Sequence, residues 1–157
     1  MTARRLDGVA IAQQIRTDLH APVAAFTRRA GRAPALALVL VGDDPGSHLY
    51  VSSKLRSAGD SGLDAEIHRL PADTPLADLL RLVDRLNRDE RCDGILVQSP
   101  LPTQMGADAE RQVFDAIDPD KDVDGFHATN VGRLVQGRGD LVACTPSGVI
   151  EILERSA

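Results

Sequence analysis

The sequence predicts an α/β domain in which three parallel strands alternate with helices in βαβαβ order. Three segments with strand-like apolar patterns begin roughly thirty residues apart, near residues 35, 63 and 92. The segments between them carry apolar residues at the three- and four-residue intervals of amphipathic helices. This spacing is typical of right-handed βαβ crossovers, which place consecutive strands in one parallel sheet.

The first element is predicted to be a helix over residues 7–30. Its apolar side chains recur at intervals of three and four, at Ile11, Ile15, Leu19, Val23 and Phe26. Asp7 is a suitable N-cap, because its carboxylate can accept a backbone N–H of the first turn. Pro22 is expected to kink the helix, and Gly31 is expected to end it.

The first two strands differ in pattern. Residues 35–41 are apolar throughout, which predicts a strand buried on both faces of the sheet. A glycine-containing loop, 42–46, follows, and Ser47 is predicted to cap a helix that runs to about Ala58. The next strand, 63–70, alternates apolar and polar residues, which favours a position nearer the edge of the sheet.

A second crossover helix and a third strand come next. Thr74 is predicted to cap this helix, and Pro75 is expected in its first turn. The apolar face of the helix comprises Leu76, Leu79, Leu80, Val83 and Leu86. Residues 92–98 are the third predicted strand, and a further helix is expected over 107–117.

The last forty residues are predicted to form a long polar stretch, 118–143, and one helix. Thr145 and Pro146 are expected to open that helix, which covers 147–155. It has an apolar face with nothing after it in the sequence to pack against. We therefore expect one domain over 1–143 and, over 144–157, a linker helix that leads into a further domain.

Composition narrows the classes of function. The chain has 157 residues, a formal net charge of -5 and 3% aromatic residues, so no nucleic-acid partner is expected. No apolar run is long enough to span a membrane, and residues 1–7 lack the apolar region of a signal peptide. Cys92 and Cys144 fit neither a disulfide framework nor a zinc motif. A cytoplasmic protein is expected.

Lysine is scarce in this chain. Of the 18 Lys and Arg residues, only Lys54 and Lys121 are lysines. Codon bias accounts for abundant arginine, but a lysine can release its proton and an arginine cannot. Tyr50 lies four residues before Lys54, so both side chains share one helix face beyond the carboxyl end of the first strand. Ligands of open α/β sheets bind at that edge, whereas an exposed Tyr-Lys pair is the alternative interpretation.

Two further segments carry candidate site residues. Gln98 ends the third predicted strand at the same sheet edge, and the alternative is a glutamine that only satisfies a loop. Four aspartates, Asp124 among them, lie in the loop 118–127. The loop lacks the glycine and glutamate positions of a calcium loop, so no metal site is predicted, and a solvated acidic loop is the alternative.

The sequence predicts no dinucleotide-binding residues. Short-chain dehydrogenases also use Tyr-x-x-x-Lys, but they need a glycine-rich turn far upstream, and no G-x-G-x-x-G occurs in the chain. The loop 42–46 is not a phosphate-binding P-loop, because no Gly-Lys-Ser/Thr follows it.

Four co-linear segments together resemble the bifunctional methylenetetrahydrofolate dehydrogenase/methenyltetrahydrofolate cyclohydrolase family, often called FolD. They are VGDDPGSHLYVSSK (41–54), DGILVQSPLP (93–102), PDKDVDGFH (119–127) and CTPSG (144–148). The likeness runs from Asp7 to the final helix. It implies a folate-binding α/β domain that precedes a Rossmann-type NAD(P) domain, which this chain lacks.

The resemblance implies roles for the matched residues. It implies that Lys54, Gln98 and Tyr50 are catalytic and also contact the substrate. Lys54 matches the catalytic lysine, Gln98 the glutamine that contacts it, and Tyr50 the tyrosine that stacks on the folate. Asp124 matches the carboxylate that holds the pterin ring. The other expected substrate-binding residues are Val97, Ser99 and Pro100. A cationic methenyl group beside a lysine shielded from water favours the neutral amine, which can act as a base.

This chain departs from the family in two ways. Ser99 stands where the family usually has leucine, and the cofactor domain and a Pro-Gly-Gly-Val-Gly-Pro segment that completes the folate site are absent. The resemblance implies a cytoplasmic, homodimeric parent enzyme of one-carbon metabolism and purine biosynthesis. That parent would oxidise 5,10-methylenetetrahydrofolate with NADP or NAD and hydrolyse methenyltetrahydrofolate to 10-formyltetrahydrofolate.

The 157-residue chain alone is expected to differ from that parent. We expect it to lack the dehydrogenase activity and to be a monomer, because cofactor binding and dimerisation in the family depend on the absent domain. The alternative to an enzyme is a non-catalytic folate-binding or interaction remnant.

Overall fold

Three parallel strands form the sheet in the computed structural model, which describes residues 6–157. β1 (Ala35–Val41) lies between β2 (Asp64–Leu70) and β3 (Gly94–Val97). This arrangement confirms the predicted α/β class with a parallel βαβαβ sheet, and β2 lies at an edge as its alternating pattern favoured. The interpretation of residues 1–7 as lacking a signal peptide falls largely on 1–5, which lie outside the described residues.

Helices flank the sheet. The described residues form α1 (Gly8–Ala30), α2 (Pro45–Asp60), α3 (Leu76–Arg88), α4 (Ala109–Ala116), α5 (Ala128–Val135) and α6 (Cys144–Ser156). Asp7 caps α1 as predicted, since its side chain accepts a hydrogen bond from Ala10 N at 3.1 Å. Gly31 ends the helix with a φ of 70°, a left-handed conformation that glycine adopts without steric cost. Pro22 lies inside α1.

Two predicted helix caps were wrong. Asp44, not Ser47, caps α2: its carboxylate accepts a hydrogen bond from Ser47 N at 2.7 Å, and the helix begins at Pro45. Proline suits the first helical position because its missing N–H would have no intrahelical partner there. Thr74 does not cap α3, because Pro75 occupies the N-cap and makes no side-chain hydrogen bond.

The later elements also differ from the prediction in extent. β3 covers four residues instead of 92–98, and α4 is shorter than 107–117. α6 begins at Cys144, three residues before the predicted start. The stretch 118–143 was predicted without a helix but contains α5, which is short and has Gly132 in its interior.

The core lies on both faces of β1, because successive side chains of a strand point to opposite faces. On one face, β1 and β3 pack against α3 and α4. The buried residues of this contact include Ala37, Val39, Leu79, Val83, Ile95, Val97 and Val113. On the other face, Leu38, Leu40 and Leu96 pack against Val51 of α2. Each buried aliphatic side chain stabilises the fold by about 1.5–3 kcal/mol. No described helix combines the length and the apolarity needed to cross a bilayer.

The amino ends of β1 and β3 are joined by an ion pair. Two nitrogens of the Arg32 guanidinium donate to the two Asp93 carboxylate oxygens at 2.5 and 2.9 Å. Asp93 Oδ2 also accepts a hydrogen bond from Ala35 N at 2.8 Å. The hydrogen bond from Arg32 is the main reason that the pKa of Asp93 lies below its ordinary value.

Candidate functional site

Lys54 and Gln98 meet at the carboxyl edge of the sheet. Lys54 lies on α2, and its Nζ atom is 3.2 Å from Gln98 Oε1. Gln98 directly follows β3, and its backbone N–H donates to Val39 O at 2.9 Å. A parallel sheet places the ends of β1 and β3 side by side, which brings together two residues 44 positions apart.

The Lys54–Gln98 contact lies in a cleft of about 850 Å³. Of the predicted site residues, Tyr50, Lys54, Gln98, Ser99 and Asp124 line this cleft. Its other walls come from α1, α2, the sheet, the loop before α5 and the start of α6, and include Arg16, Leu19, Leu36, Leu96, Phe126 and Cys144. A largely apolar cleft with a few convergent polar groups is the usual form of a small-molecule site.

Asp124 is half-buried in the cleft wall. Burial raises the pKa of its carboxyl group, and the nearby Asp122 raises it further, while the positive charge of Lys54 opposes the shift. A half-buried carboxylate of this kind is stabilised when a ligand supplies hydrogen-bond donors or positive charge.

Asp122 shapes the turn that carries Asp124. Its side chain is buried, with 2% exposure, and accepts hydrogen bonds from Gly125 N at 3.1 Å, His127 N at 2.8 Å and Asn130 Nδ2 at 3.0 Å. Gly125 has a φ of 71°, and a Cβ atom there would lie 2.6 Å from the backbone of residues 142 and 143. Asp122 is one of the four aspartates of the loop 118–127, for which the sequence predicted no metal site. Within residues 6–157, no group of three or more potential ligands is placed to hold a metal ion.

The remaining predicted site residues lie in different surroundings. Tyr50 is 65% exposed, one helical turn before Lys54. The Val97 side chain packs in the core between the sheet and α3, on the face opposite the cleft. Pro100 is exposed and follows a cis peptide bond from Ser99. Substrate contacts of Val97 and Pro100 stay a prediction.

Lys121 lies outside the cleft and has a structural role. Its Nζ atom donates to the carbonyl oxygens of Leu86, Asn87 and Asp89 at 3.0, 2.7 and 2.8 Å. These carbonyls are at the end of α3, where a helix leaves acceptors without partners and where its dipole favours a cation. The two lysines of the chain therefore differ in surroundings: one faces a cleft and the other caps a helix.

The start of α2, which follows β1, does not fit the diphosphate of a dinucleotide. The backbone N–H of Ser47, which an anion at this helix start would need, already donates to the Asp44 carboxylate. Asp43 is exposed beside it. The hydrogen bond from the backbone of Ser47 keeps the pKa of Asp44 below its ordinary value. Two negative charges at this helix start repel a phosphate.

The fold is that of an α/β domain, and its cleft around Lys54 is a candidate site for a small molecule. A family model described as the tetrahydrofolate dehydrogenase/cyclohydrolase catalytic domain matches residues 6–124. The chain belongs to this family.

Its relatives include curated proteins and solved structures. Bifunctional protein FolD 1 of Rhizorhabdus wittichii is 54% identical over 149 residues, which cover 95% of this chain and 50% of that protein. The 5,10-methylenetetrahydrofolate dehydrogenase of the silkworm Bombyx mori is 41% identical, with a TM-score of 0.93 over 99% of this chain and 52% of that one.

A third similar protein is the Trypanosoma brucei N5,N10-methylenetetrahydrofolate dehydrogenase-cyclohydrolase, solved in complex with NADP cofactor and an inhibitor. It is 36% identical, with a TM-score of 0.91, and the match covers 99% of this chain and 53% of that one. The chain spans about half the length of the curated relatives it matches.

Proposed function

We propose that the cleft binds a one-carbon derivative of tetrahydrofolate and that Lys54 is the base in hydrolysis of methenyltetrahydrofolate. The observation that carries this proposal is the 3.2 Å contact between Lys54 and Gln98 inside a largely apolar cleft. The family of the chain and the named activities of its relatives support the choice of substrate.

The reaction needs a base beside the methenyl carbon. Methenyltetrahydrofolate is a cation, and its positive charge next to Lys54 favours the neutral amine. That amine donates one N–H to Gln98 Oε1, which leaves its lone pair free to take a proton from water as the water oxygen bonds to the methenyl carbon. The adduct opens when its bond to N5 breaks, N5 gains a proton and the hydroxyl loses one. Lys54 then releases its proton to solvent.

Asp124 and Tyr50 are proposed to bind the rest of the substrate. The pterin ring presents N–H donors on one edge, and Asp124 is a half-buried carboxylate in the cleft wall that can accept them. The exposed ring of Tyr50 at the same cleft can stack on a flat substrate. Tyr50→Ala should weaken substrate binding about 10-fold, and Tyr50→Phe should keep it.

The oxidation of methylenetetrahydrofolate is proposed only for a full-length parent enzyme that includes the cofactor domain. It requires NADP or NAD as hydride acceptor, and the α2 start, with Asp43 and Asp44, does not fit such a cofactor. We therefore expect no NADP-dependent turnover by the 157-residue chain. Spectrophotometric detection of NADPH formation by this chain would overturn that expectation.

The same proposal assigns a cellular setting. It places the protein in the cytoplasm, in one-carbon metabolism that supplies purine biosynthesis. We expect a homodimer for a full-length parent enzyme and a monomer for the 157-residue chain. Sedimentation equilibrium measures the molecular mass that distinguishes the two states.

The test of the hydrolysis proposal compares the two lysines. The rate of methenyltetrahydrofolate loss is measured with the chain, with Lys54→Met and with Lys121→Met, at equal concentrations of folded protein and after subtraction of the buffer rate. We expect Lys54→Met to lower the enzymatic rate by about 10²-fold or more, because it removes the base. Lys121→Met should keep the rate, because the Lys121 side chain donates to carbonyls at the end of α3, outside the cleft.

The alternative function makes a different prediction. A non-catalytic folate-binding protein would bind methenyltetrahydrofolate with the same affinity but show no hydrolysis above buffer, with or without Lys54. Equal rates for the chain and Lys54→Met would therefore reject the catalytic role of Lys54.

A further inference from the structure

Glu110 holds the segment that follows Gln98. It lies in the first turn of α4, and its Oε1 atom accepts hydrogen bonds from Ser99 Oγ at 2.6 Å and from Leu101 N at 3.0 Å. The carboxylate is half-buried, and a charged acceptor makes both hydrogen bonds stronger than neutral ones. α4 is thereby tied to the chain where it leaves β3.

The held segment fixes the orientation of the Gln98 amide. Ser99 O accepts a hydrogen bond from Gln98 Nε2 at 2.6 Å, while Gln98 Oε1 faces Lys54 Nζ. An amide has one donor end and one acceptor end, so anchoring the donor end at Ser99 directs the oxygen towards Lys54. The reverse orientation would place the NH₂ group against the lysine and one oxygen against another, with neither hydrogen bond.

Ser99 supplies both ends of this connection. Its hydroxyl donates to Glu110 and its carbonyl accepts from Gln98, so one residue joins a carboxylate on α4 to the amide at the site. A leucine at position 99 would have no side-chain donor for Glu110. Ser99 and Gln98 line the cleft, whereas Glu110 is not among the described residues that line it. Any effect of Glu110 on the cleft therefore passes through Ser99 and Gln98.

We propose that Glu110 is a positioning residue, which orients the Gln98 amide and, through it, the nitrogen of Lys54. The conformational part of this inference holds for the free protein. Its effect on the rate rests on the proposed hydrolysis at Lys54.

The first experiment reads the conformation without substrate. NMR of protein labelled with ¹⁵N at lysine and glutamine side chains is compared for Glu110→Ala, for Glu110→Gln and for the control Asp115→Ala. Asp115 is an exposed carboxylate on the same helix whose ion-pair partner is Arg111. We expect Glu110→Ala to shift the Gln98 amide and Lys54 signals, whereas Glu110→Gln, which keeps an oxygen acceptor, and Asp115→Ala leave them in place. Unshifted signals in a folded Glu110→Ala variant would overturn the proposal.

The second experiment separates positioning from a merely structural role. For Glu110→Ala we expect single-turnover hydrolysis of methenyltetrahydrofolate to slow about 10-fold, because the base is misplaced, while the Kd of the substrate changes less than about 2-fold. Glu110→Gln should restore most of the rate. An unchanged rate constant, or a loss confined to Kd, would contradict positioning.

Variants of Ser99 keep the proposal testable if Glu110→Ala does not fold. Ser99→Ala removes the hydroxyl and Ser99→Thr keeps it, so the first should shift the Lys54 signal and the second should not. Ser99→Ala combined with Glu110→Ala should slow hydrolysis no more than Glu110→Ala alone, since both act on one connection. If the chain shows no hydrolysis but the Lys54 signal still moves, the proposed function fails and the positioning role stands.

Discussion

The amino edge of the sheet and the cleft use the same residue types in opposite ways. At the amino edge, Asp93 is paired with Arg32, and Lys121 donates to three carbonyls. In the cleft, Asp124 is half-buried near a like charge, and within residues 6–157 the Lys54 side chain makes one hydrogen bond, to Gln98. The pKa of Asp93 is lowered and that of Asp124 is raised.

The two regions differ in how far the protein itself satisfies each charged group. A charged group whose hydrogen-bonding capacity is filled by the protein stabilises the fold and has little left to offer. A partly desolvated group with few partners costs stability and can bind or react. The charged groups of the amino edge therefore contribute to stability, and we expect the charged groups of the cleft to bind or react with a ligand.

The largest loss of stability is expected from a substitution at Gly125, where the turn that carries Asp124 lies directly against the backbone that precedes α6. Gly125→Ala forces a left-handed residue and a Cβ atom that meets the backbone at 2.6 Å, which should destabilise the fold by roughly 2–4 kcal/mol and weaken folate binding. Gly137→Ala is the matched control: its φ is 68°, but no atom of residues 6–157 lies within 4 Å of its Cβ position. It should cost about 1 kcal/mol. Urea unfolding measures both, and equal losses would show that the close approach does not matter.

Removing each lysine separates stability from function. Lys121→Met should destabilise the chain by about 2 kcal/mol, because three carbonyls at the end of α3 lose a charged donor. Lys54→Met should change stability by less than about 0.5 kcal/mol, because among residues 6–157 it removes one hydrogen bond, the 3.2 Å contact with Gln98. Thermal unfolding followed by circular dichroism checks both values. A larger loss of stability for Lys54→Met than for Lys121→Met would contradict the difference between the two regions.

The two aspartates should respond to neutralisation with opposite signs. At pH 7, Asp93→Asn should lose about 1 kcal/mol, a value kept small because solvent screens a carboxylate whose side chain is 33% exposed. Asp124→Asn should raise stability at pH 7 while it weakens folate binding, since it removes a carboxylate that burial disfavours. Both are read from urea unfolding at pH 7, and a destabilised Asp124→Asn variant would contradict the account of the cleft.

The pH dependence of stability gives the smallest but most specific effect. The stabilising contribution of Asp93 is present above its unfolded pKa, near 3.9, and is lost as pH falls through its lower folded pKa. The unfavourable contribution of Asp124 has the reverse sign: it is full above its raised folded pKa and vanishes below about 3.9. Acidification should therefore shrink the stability gap between the wild type and each asparagine variant. A gap that does not change with pH would contradict the assigned shifts.

Local patterns predicted the elements of the fold and the main site residues. The apolar run of β1 and the periodicity of α3 are visible in the sequence because each depends on neighbouring residues. The placement of Lys54 next to Gln98 also followed, since a parallel sheet brings the carboxyl ends of its strands together. The cap of α2 was assigned wrongly, although Asp-Pro at residues 44–45 is itself a helix-start signal.

The rest depends on contacts between distant residues, which periodicity does not reveal. Glu110 lies 11 residues from Ser99, and Lys121 reaches carbonyls of α3 more than 30 residues away. Nothing in the spacing of these residues indicates the contacts. In the sequence, the Asp122 carboxylate is of a type that can bind a metal ion. In the structure it accepts hydrogen bonds from two backbone N–H groups and one side-chain amide, so it organises a turn.

The chain offers one direct measurement of the central claim, because Lys54 and Lys121 are its only lysines. In ¹⁵N-lysine NMR of the chain, each side chain gives one assignable signal, and methenyltetrahydrofolate or a non-hydrolysable folate analogue is titrated in. The account predicts that the Lys54 signal shifts with saturable dependence on ligand while the Lys121 signal stays in place. A Lys54 signal that does not move at saturating ligand would contradict the assignment of the cleft as the folate site.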